Sequence, residues 1–436
     1  MTTAGWLAVA VFTVVYALIA TDRVDRVAAS VGGAVLMLAV GLTGTQEAFF
    51  STDTGIDWRV IFLLIGMMII VSVLGRTGVF EYLAIWAAKR ARGRPYRLMV
   101  ILVLITAAAS ALLDNVTTVL LVAPVTISVC RQLGVPVVPF LLAEVFAANI
   151  GGTATLIGDP PNIIIAARAG LSFNAFLVHL TPLVVVLLGV LLLFCRVIFR
   201  SALTYHPERV GPVLAMRERD AIREPRLLLY SGIVLAFVLA GFGLHTVLHL
   251  EPAVIALTGG VVLLGVSRLE TASVVRDVEW PTLAFFAGLF IMVGALVDTG
   301  VIQVVGTFAT DAVGDNLLGA SLTLIGGGAL MSALVDNIPS VTAISPIIEQ
   351  LVAANGGMEQ AGMLWWSLAL GAGLGSNATV VAAASNVVMV GLAQRAGEPI
   401  SFWRFTRDGL LLTVVTVVLA GVYVWLRYFV LVGGAP

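Results

Sequence analysis

Apolar runs of membrane-spanning length recur along the whole chain, and no other feature restricts its folding as severely. A helical crossing takes about 17–25 mostly apolar residues. Such runs lie near 5–20, 28–43, 60–75, 98–130, 137–168, 175–195, 227–244, 253–266, 281–297, 318–348, 363–393 and 409–430. Those at 98–130, 137–168, 318–348 and 363–393 are long but interrupted by polar residues near their centres. Of the 436 residues, 60% are apolar and 11% charged, with a mean hydropathy of +1.06. Soluble domains carry about 45–50% and about 25%. No water-solvated core absorbs that much apolar surface, so the chain reads as an all-α integral membrane protein and soluble enzymes are excluded. The net charge of −1 gives no basic field for nucleic acid. Cys130 and Cys195 sit in or beside apolar runs without a metal or disulfide pattern, so no cofactor and no metal is expected.

Only one long stretch is polar. Residues 196–226 hold seven Arg and four acids together with Pro207, Pro212 and Pro225, and read as a cytoplasmic linker between 1–195 and 227–436. Let the N-terminus lie outside and let 98–130 and 318–348 return to the side they enter from. All of the 24 Lys and Arg except Arg59, Arg168 and Arg427 then share one side, which the positive-inside rule makes the cytoplasm. Both termini are expected outside, in the cytoplasmic (inner) membrane. Met1–Ala20 lacks a basic n-region and reads as a retained first crossing. The cluster Lys89, Arg90, Arg92, Arg94 and Arg97 is a topology signal that also suits anionic membrane lipid.

The two halves share an ordered pattern. Asp57-Trp58 matches Glu279-Trp280, Thr77-Gly78 matches Thr299-Gly300, and Leu113-Asp114-Asn115 matches Val335-Asp336-Asn337, each 222 residues on. Gly151-Gly152-Thr153-Ala154-Thr155 matches Gly375-Ser376-Asn377-Ala378-Thr379 and Asn162 matches Asn386, both 224 residues on. Each half has an odd number of net crossings, so the second enters the membrane from the opposite side. Inverted repeats are the recurring plan of secondary transporters, with the binding site between broken helices at matching positions. The expected architecture is about ten crossings plus two hairpins (98–130 and 318–348) and two broken helices (137–168 and 363–393). Each hairpin arm reads as about 15 residues, roughly 22 Å at 1.5 Å per residue, short for a crossing.

Two constellations point to transport chemistry. The first is Asp114-Asn115 followed by Thr117 and Thr118, with its mate Asp336-Asn337 followed by Ser340. Asp-Asn is ordinary turn chemistry, but a carboxylate inside an apolar run costs at least about 2.5–3.5 kcal/mol. Two at matching positions argue for function. The second runs from Asn149 through Gly151, Gly152, Thr153, Thr155 and Asp159-Pro160-Pro161 to Asn162. Its mate is Gly375, Ser376, Asn377 and Thr379, then Ser385-Asn386, and it lacks the Asp-Pro-Pro. Such backbone is tolerated at membrane depth only where it lines a cavity or is buried in protein. Asp114, Asp159 and Asp336 are the candidates for proton coupling. Glu144 is placed to face the same cavity, His179 reads as a local cap, and Glu349 as an interfacial acid.

At these motifs the sequence resembles the arsenite-permease / NhaD-type sodium–proton antiporter (P-permease) group of the ion transporter superfamily. The resemblance runs from about residue 20 to 425. It rests on Leu113–Thr118, Asn149–Asn162, Val335–Pro339 and Ile400-Ser401-Phe402-Trp403-Arg404-Phe405. It implies two re-entrant hairpins, with tips at Asp114-Asn115 and Asp336-Asn337, meeting two unwound helices at 151–162 and 375–386. Dicarboxylate carriers of that superfamily usually carry Ser-Asn-Thr at the tips, where this chain has acids that repel a dianion.

The functional expectation is proton-coupled efflux of arsenite or antimonite as a neutral trihydroxide. Asn115, Thr153, Asn337, Ser376 and Asn377 would supply its hydrogen bonds. The alternatives are sodium–proton antiport and, ranked lower, organic-anion symport. Expected partners are the solute, protons, membrane lipid and a second copy of the chain. The resemblance adds the soluble ATPase that some arsenite-permease systems use.

Overall fold

A computed structural model gives the fold for residues 1–21, 24–51, 54–204, 211, 217–314 and 316–431. Arg23 and the linker residues 205–210 and 212–216, with Pro207 and Pro212, lie outside the described residues. The described residues are helical and contain no strand. The first half holds α1 (Thr3–Ala20), α2 (Arg26–Ala39), α3 (Thr45–Phe50), α4 (Trp58–Arg76), α5 (Val79–Ala91), α6 (Pro95–Leu112), α7 (Asn115–Leu133), α8 (Val138–Gly152), α9 (Pro160–Ala169), α10 (Phe173–His179) and α11 (Thr181–Ile198). The second holds α12 (Pro225–Leu248), α13 (Pro252–Ser267), α14 (Thr271–Asp277), α15 (Trp280–Asp298), α16 (Val301–Val313), α17 (Leu317–Leu334), α18 (Asn337–Ala354), α19 (Gly357–Ala361), α20 (Met363–Gly375), α21 (Ala384–Arg395) and α22 (Phe402–Val424).

Local chemistry sets many of these boundaries. Proline opens α6, α9, α12 and α13, where its missing N–H costs no hydrogen bond. Gly78 and Gly300 stand at φ 82° and 75° at the same junction of each half. At Gly78 a Cβ would lie 2.0 Å from the Ala221 carbonyl oxygen. The end of the linker is therefore docked on the α4–α5 corner, and Arg223 N–H donates to the Thr77 carbonyl at 2.9 Å. That segment is packed structure rather than a free tether.

The repeat is structural as well as sequential. α4 to α9 recur as α15 to α18, α20 and α21, and both returning hairpin arms carry an internal proline at matching places, Pro124 and Pro346. The halves interlock. α4 packs along α13 while α15 packs along α2, and α7 packs against α21 while α18 packs against α9. Glycine permits the closest approaches: a Cβ on Gly66 would lie 2.4 Å from Ala256 backbone, and one on its mate Gly288 2.7 Å from Ser30 backbone.

Eight helices among the described residues are long and apolar enough to cross a membrane, or nine if the pair α9–α10, bent by 113°, counts as one span, as expected of an all-helical multi-span protein. One expectation changes. The hairpin arms have 18 and 19 residues in the first half and 18 in each arm of the second, because the helices run on into polar ends such as Pro95–Arg97. At 1.5 Å per residue each is about 27 Å long, so arm length does not mark a hairpin. The tips do: Asn115 and Asp336 are buried, and both helix pairs turn against the broken helices.

Candidate functional site

The breaks form where helical backbone is chemically blocked. In the first, α8 stops at Gly152 and α9 starts at Pro160, with Asp159 extended at φ −143°, ψ 131°, as a residue before proline prefers. In the second, Ala383 takes the same conformation (φ −155°, ψ 147°) without a proline. One asparagine ties down each loop. Asn162 Nδ2 donates to the carbonyls of Gly152 (3.3 Å), Thr153 (3.4 Å) and Thr155 (2.8 Å). Asn386 Nδ2 donates to those of Ser376 (2.6 Å) and Thr379 (2.8 Å).

Each break is also bolted to the outgoing arm of its own hairpin. Ser110 donates to the Ala148 carbonyl at 2.7 Å and Thr155 to that of Ala111 at 2.5 Å. The mates Ser332 and Thr379 donate to Ala372 (2.9 Å) and Ala333 (2.7 Å). Gly151 and Gly375 let the helices close: a Cβ there would lie 2.4 and 2.5 Å from the carbonyl oxygens of Ala107 and Ala329. Gly152 faces Gly158 just as tightly.

Carboxamides meet a carboxylate at the centre. Asp159 accepts from Asn115 Nδ2 at 3.3 Å on one oxygen, and from Asn337 Nδ2 at 3.3 and 3.1 Å on both. Asn149 Nδ2 donates to the side-chain oxygens of Asn377 (3.1 Å) and Asn386 (3.0 Å), and its own oxygen accepts from Ser385 at 2.8 Å. Asn377 Nδ2 is buried without a partner. Beside this cluster a cavity of about 30 Å³ is lined by Leu64 and Met68 of α4, Asp114, Asn115, Asp159, Asn337, Glu279 and Thr282. No basic side chain lines it.

The structure thus brings together Asn115, Asn149, Asp159, Asn337, Asn377, Ser385 and Asn386. Three of the hydroxyls expected to meet a solute donate to backbone carbonyls. Thr153 donates to the Asn149 carbonyl at 2.9 Å, Ser376 to that of Gly373 at 2.5 Å and Ser340 to that of Asp336 at 2.8 Å. Each bonds a backbone carbonyl three or four residues before it. Thr117 donates to the Asp114 carboxylate from both its N–H and its hydroxyl, so Asp114 caps α7 as well as lining the cavity. The Thr118 hydroxyl is buried and unpartnered.

Asp336 differs from its mate. Its carboxylate accepts from Arg26 Nη1 at 3.1 Å and from Ile338 N–H at 3.2 Å. Its backbone stands at φ 156°, ψ 150°, a region essentially reserved for glycine. Arg26 counted only as a topology signal in the sequence, and nothing there linked it to a carboxyl 310 positions away. Glu279 was also missed as a cavity residue, although its match with Asp57 marked the repeat.

The remaining candidates lie elsewhere. Glu144 is buried on α8, accepts from Thr126 at 2.6 Å and does not line the cavity. His179 stacks on Trp366 at 4.6 Å and hydrogen-bonds Tyr428 at 2.5 Å. Glu349 pairs with Arg168 at 3.7 Å. The flanking space is two-sided. One vestibule of about 300 Å³ is lined by Met68, Ser72, Gly75, Arg76, Arg223, Asp277 and Glu279. Another of about 380 Å³ is lined by Asp57, Arg59, Phe290, Val297 and Glu349.

Comparison with known proteins gives the same architecture a family context. A family model described as "Citrate transporter" matches residues 16–371. An uncharacterized transporter of Mycobacterium tuberculosis is 53% identical over 98% of this chain and 99% of its own length. One from Synechocystis is 33% identical over 96% of both chains. The human P protein is 31% identical over 97% of this chain and 60% of its own length. Among solved structures, the YdaH transporter of Alcanivorax borkumensis superposes with a TM-score of 0.62 at 14% identity, covering 98% of this chain and 99% of that one. MtrF of Neisseria gonorrhoeae gives 0.66 at 12%, covering 100% and 96%. At such identities these two show a shared fold.

Proposed function

This chain belongs to the citrate transporter family of the ion transporter superfamily and is a multi-pass secondary transporter, and within that family we propose that it couples proton movement to transport of a small inorganic solute. The lead solute is arsenite or antimonite as the neutral trihydroxide, moved outward across the cytoplasmic membrane.

One observation carries this reading. Asp159 is clasped by one carboxamide from each hairpin, beside a cavity that no basic side chain lines. A free polyanion entering there meets Asp114, Asp159 and Glu279 without a counter-ion, and burying such charge unpaired is costly. A neutral polyhydroxy solute needs donors and acceptors instead, and carboxamides supply both. The exchangeable proton is assigned to Asp159, Asp114 or both. Asp336 is a weaker candidate than the sequence alone suggested, because Arg26 already neutralises it.

Cavity size favours a second reading. About 30 Å³ is close to the share of one water in the liquid, which suits a single bare ion and therefore sodium–proton antiport. Reconstitution into liposomes with an imposed pH gradient separates the readings. Gradient-driven movement of arsenite or antimonite supports the lead, and movement of sodium alone supports the second. Movement of citrate alone overturns both.

A further inference from the structure

The two vestibules are repeat mates. Met68, Gly75 and Glu279 line one, and Phe290, Val297 and Asp57, each 222 positions away, line the other. They differ in how they meet the centre. Met68 and Glu279 line both the central cavity and the vestibule beside Arg76, whereas no residue of the Asp57 vestibule lines that cavity. Glu279 therefore stands between the central cavity and the Arg76-side vestibule, with its side chain bordering both.

The matching acids are also in opposite electrostatic states. Asp57 is held in two contacts by its neighbour Arg59, Nε at 3.1 Å and Nη2 at 3.0 Å. Glu279 has Pro281 at the position matching Arg59. Its carboxylate accepts from Thr282 at 3.0 Å, and no Lys, Arg or His pairs with it among the described residues. Charged groups line both spaces that it borders. Asp114 and Asp159 share the cavity with it. On the vestibule side Arg76 is tied to Asp277 at 2.6 Å and Arg223 to Glu81 at 3.1 Å.

We propose that Glu279 is the carboxyl through which the coupling proton passes between the Arg76-side vestibule and the Asp114–Asp159 centre. A protonated Glu279 gives its proton, through one water in the cavity, to the Asp114 or Asp159 carboxylate. It is left ionised and takes the next proton from water in the vestibule. Asp57 cannot do the same for the opposite side in this state, because its carboxylate is neutralised by Arg59 and lines no part of the central cavity. The inference rests on the proton-coupling reading and adds a route to it.

The test uses the full chain in liposomes loaded with pyranine, a pH-reporting dye, with arsenite, citrate and sodium added in turn as probes. Proton movement by the wild type with any of them establishes coupling. Glu279→Gln is then expected to slow that movement about a hundredfold, the scale of a lost proton-transfer group. Glu279→Asp should retain most of the rate with a displaced pH profile. An active wild type with Glu279→Gln at the same rate and pH profile overturns the route while leaving coupling intact. A wild type that moves no proton with any probe removes the coupling reading and this inference together. Should Glu279→Gln fail to insert, an unshifted pH profile in Glu279→Asp counts against the route in the same way.

Discussion

Asn337, at the tip of the second hairpin, holds both oxygens of Asp159 in the broken helix of the first half, at 3.3 and 3.1 Å. Asn115, at the first tip, reaches the same carboxylate at 3.3 Å. One acid therefore reports on both repeats, although only the first break carries it.

Asp159→Asn keeps hydrogen-bonding capacity but loses the titratable group. Gradient-driven transport should fall to background while solute exchange without a gradient survives. Measured side by side in proteoliposomes, equal loss of both activities would instead assign Asp159 to solute binding, as sodium–proton antiport requires.

The Arg26–Asp336 pair crosses from α2 to the second tip, with Asp336 buried and the Arg26 side chain 32% exposed. Removing one partner of a fully buried pair costs about 3–5 kcal/mol, and the exposure of Arg26 places Arg26→Ala at or below the lower end. The double variant Arg26→Gln with Asp336→Asn should melt closer to the wild type than either single change. Additive losses in thermal unfolding would show that the pair is not coupled.

Close packing at the breaks predicts a contrast among glycines. Gly151→Ala and Gly375→Ala push a methyl onto the backbone carbonyls of Ala107 and Ala329, and overpacking of that kind costs about 1–3 kcal/mol. Gly327→Ala, with nothing within 4 Å, should stay within about 0.5 kcal/mol. Similar melting temperatures for all three would refute the close approach.

Sidedness can be read with thiols, because both native cysteines are buried. Leu121→Cys, in the Arg76-side vestibule, should react with an impermeant reagent from the cytoplasmic face. Gln350→Cys, in the Asp57-side vestibule, should react from outside. Labelling of both from one face contradicts the inverted arrangement.

Lys89 lies 2.5 Å from Glu218 at the end of the linker, and its hydrogen bond holds that carboxyl below the ordinary value. A depressed carboxyl stabilises the docked linker above its unfolded pKa and loses that contribution as pH falls through the lowered one. Hydrogen exchange at 218–221 should be faster in Lys89→Ala than in the wild type at pH 7. At pH 3 the difference should shrink. A difference independent of pH would trace it to packing instead.

Much of this molecule was legible from residue order alone. Apolar run length makes it a membrane protein, because unsatisfied backbone in lipid leaves few options besides helices. Matches at spacings of 222 and 224 make it a repeat, and Asp-Asn inside apolar sequence marks both tips, because a carboxylate there needs a reason. These are local properties, carried by a residue and its near neighbours. Tertiary structure decided everything that depends on distance across the fold. It set Arg26 on Asp336, turned the hydroxyls of Thr153, Ser340 and Ser376 onto backbone carbonyls, and gathered Asn149, Asn377 and Asn386 around one centre. It also separated Glu279 from Asp57, which are equivalent in the repeat but not in their surroundings: one opens on the central cavity and the other is closed by Arg59. Sequence symmetry relates two positions, but only the packing of one conformation determines which of them faces the site.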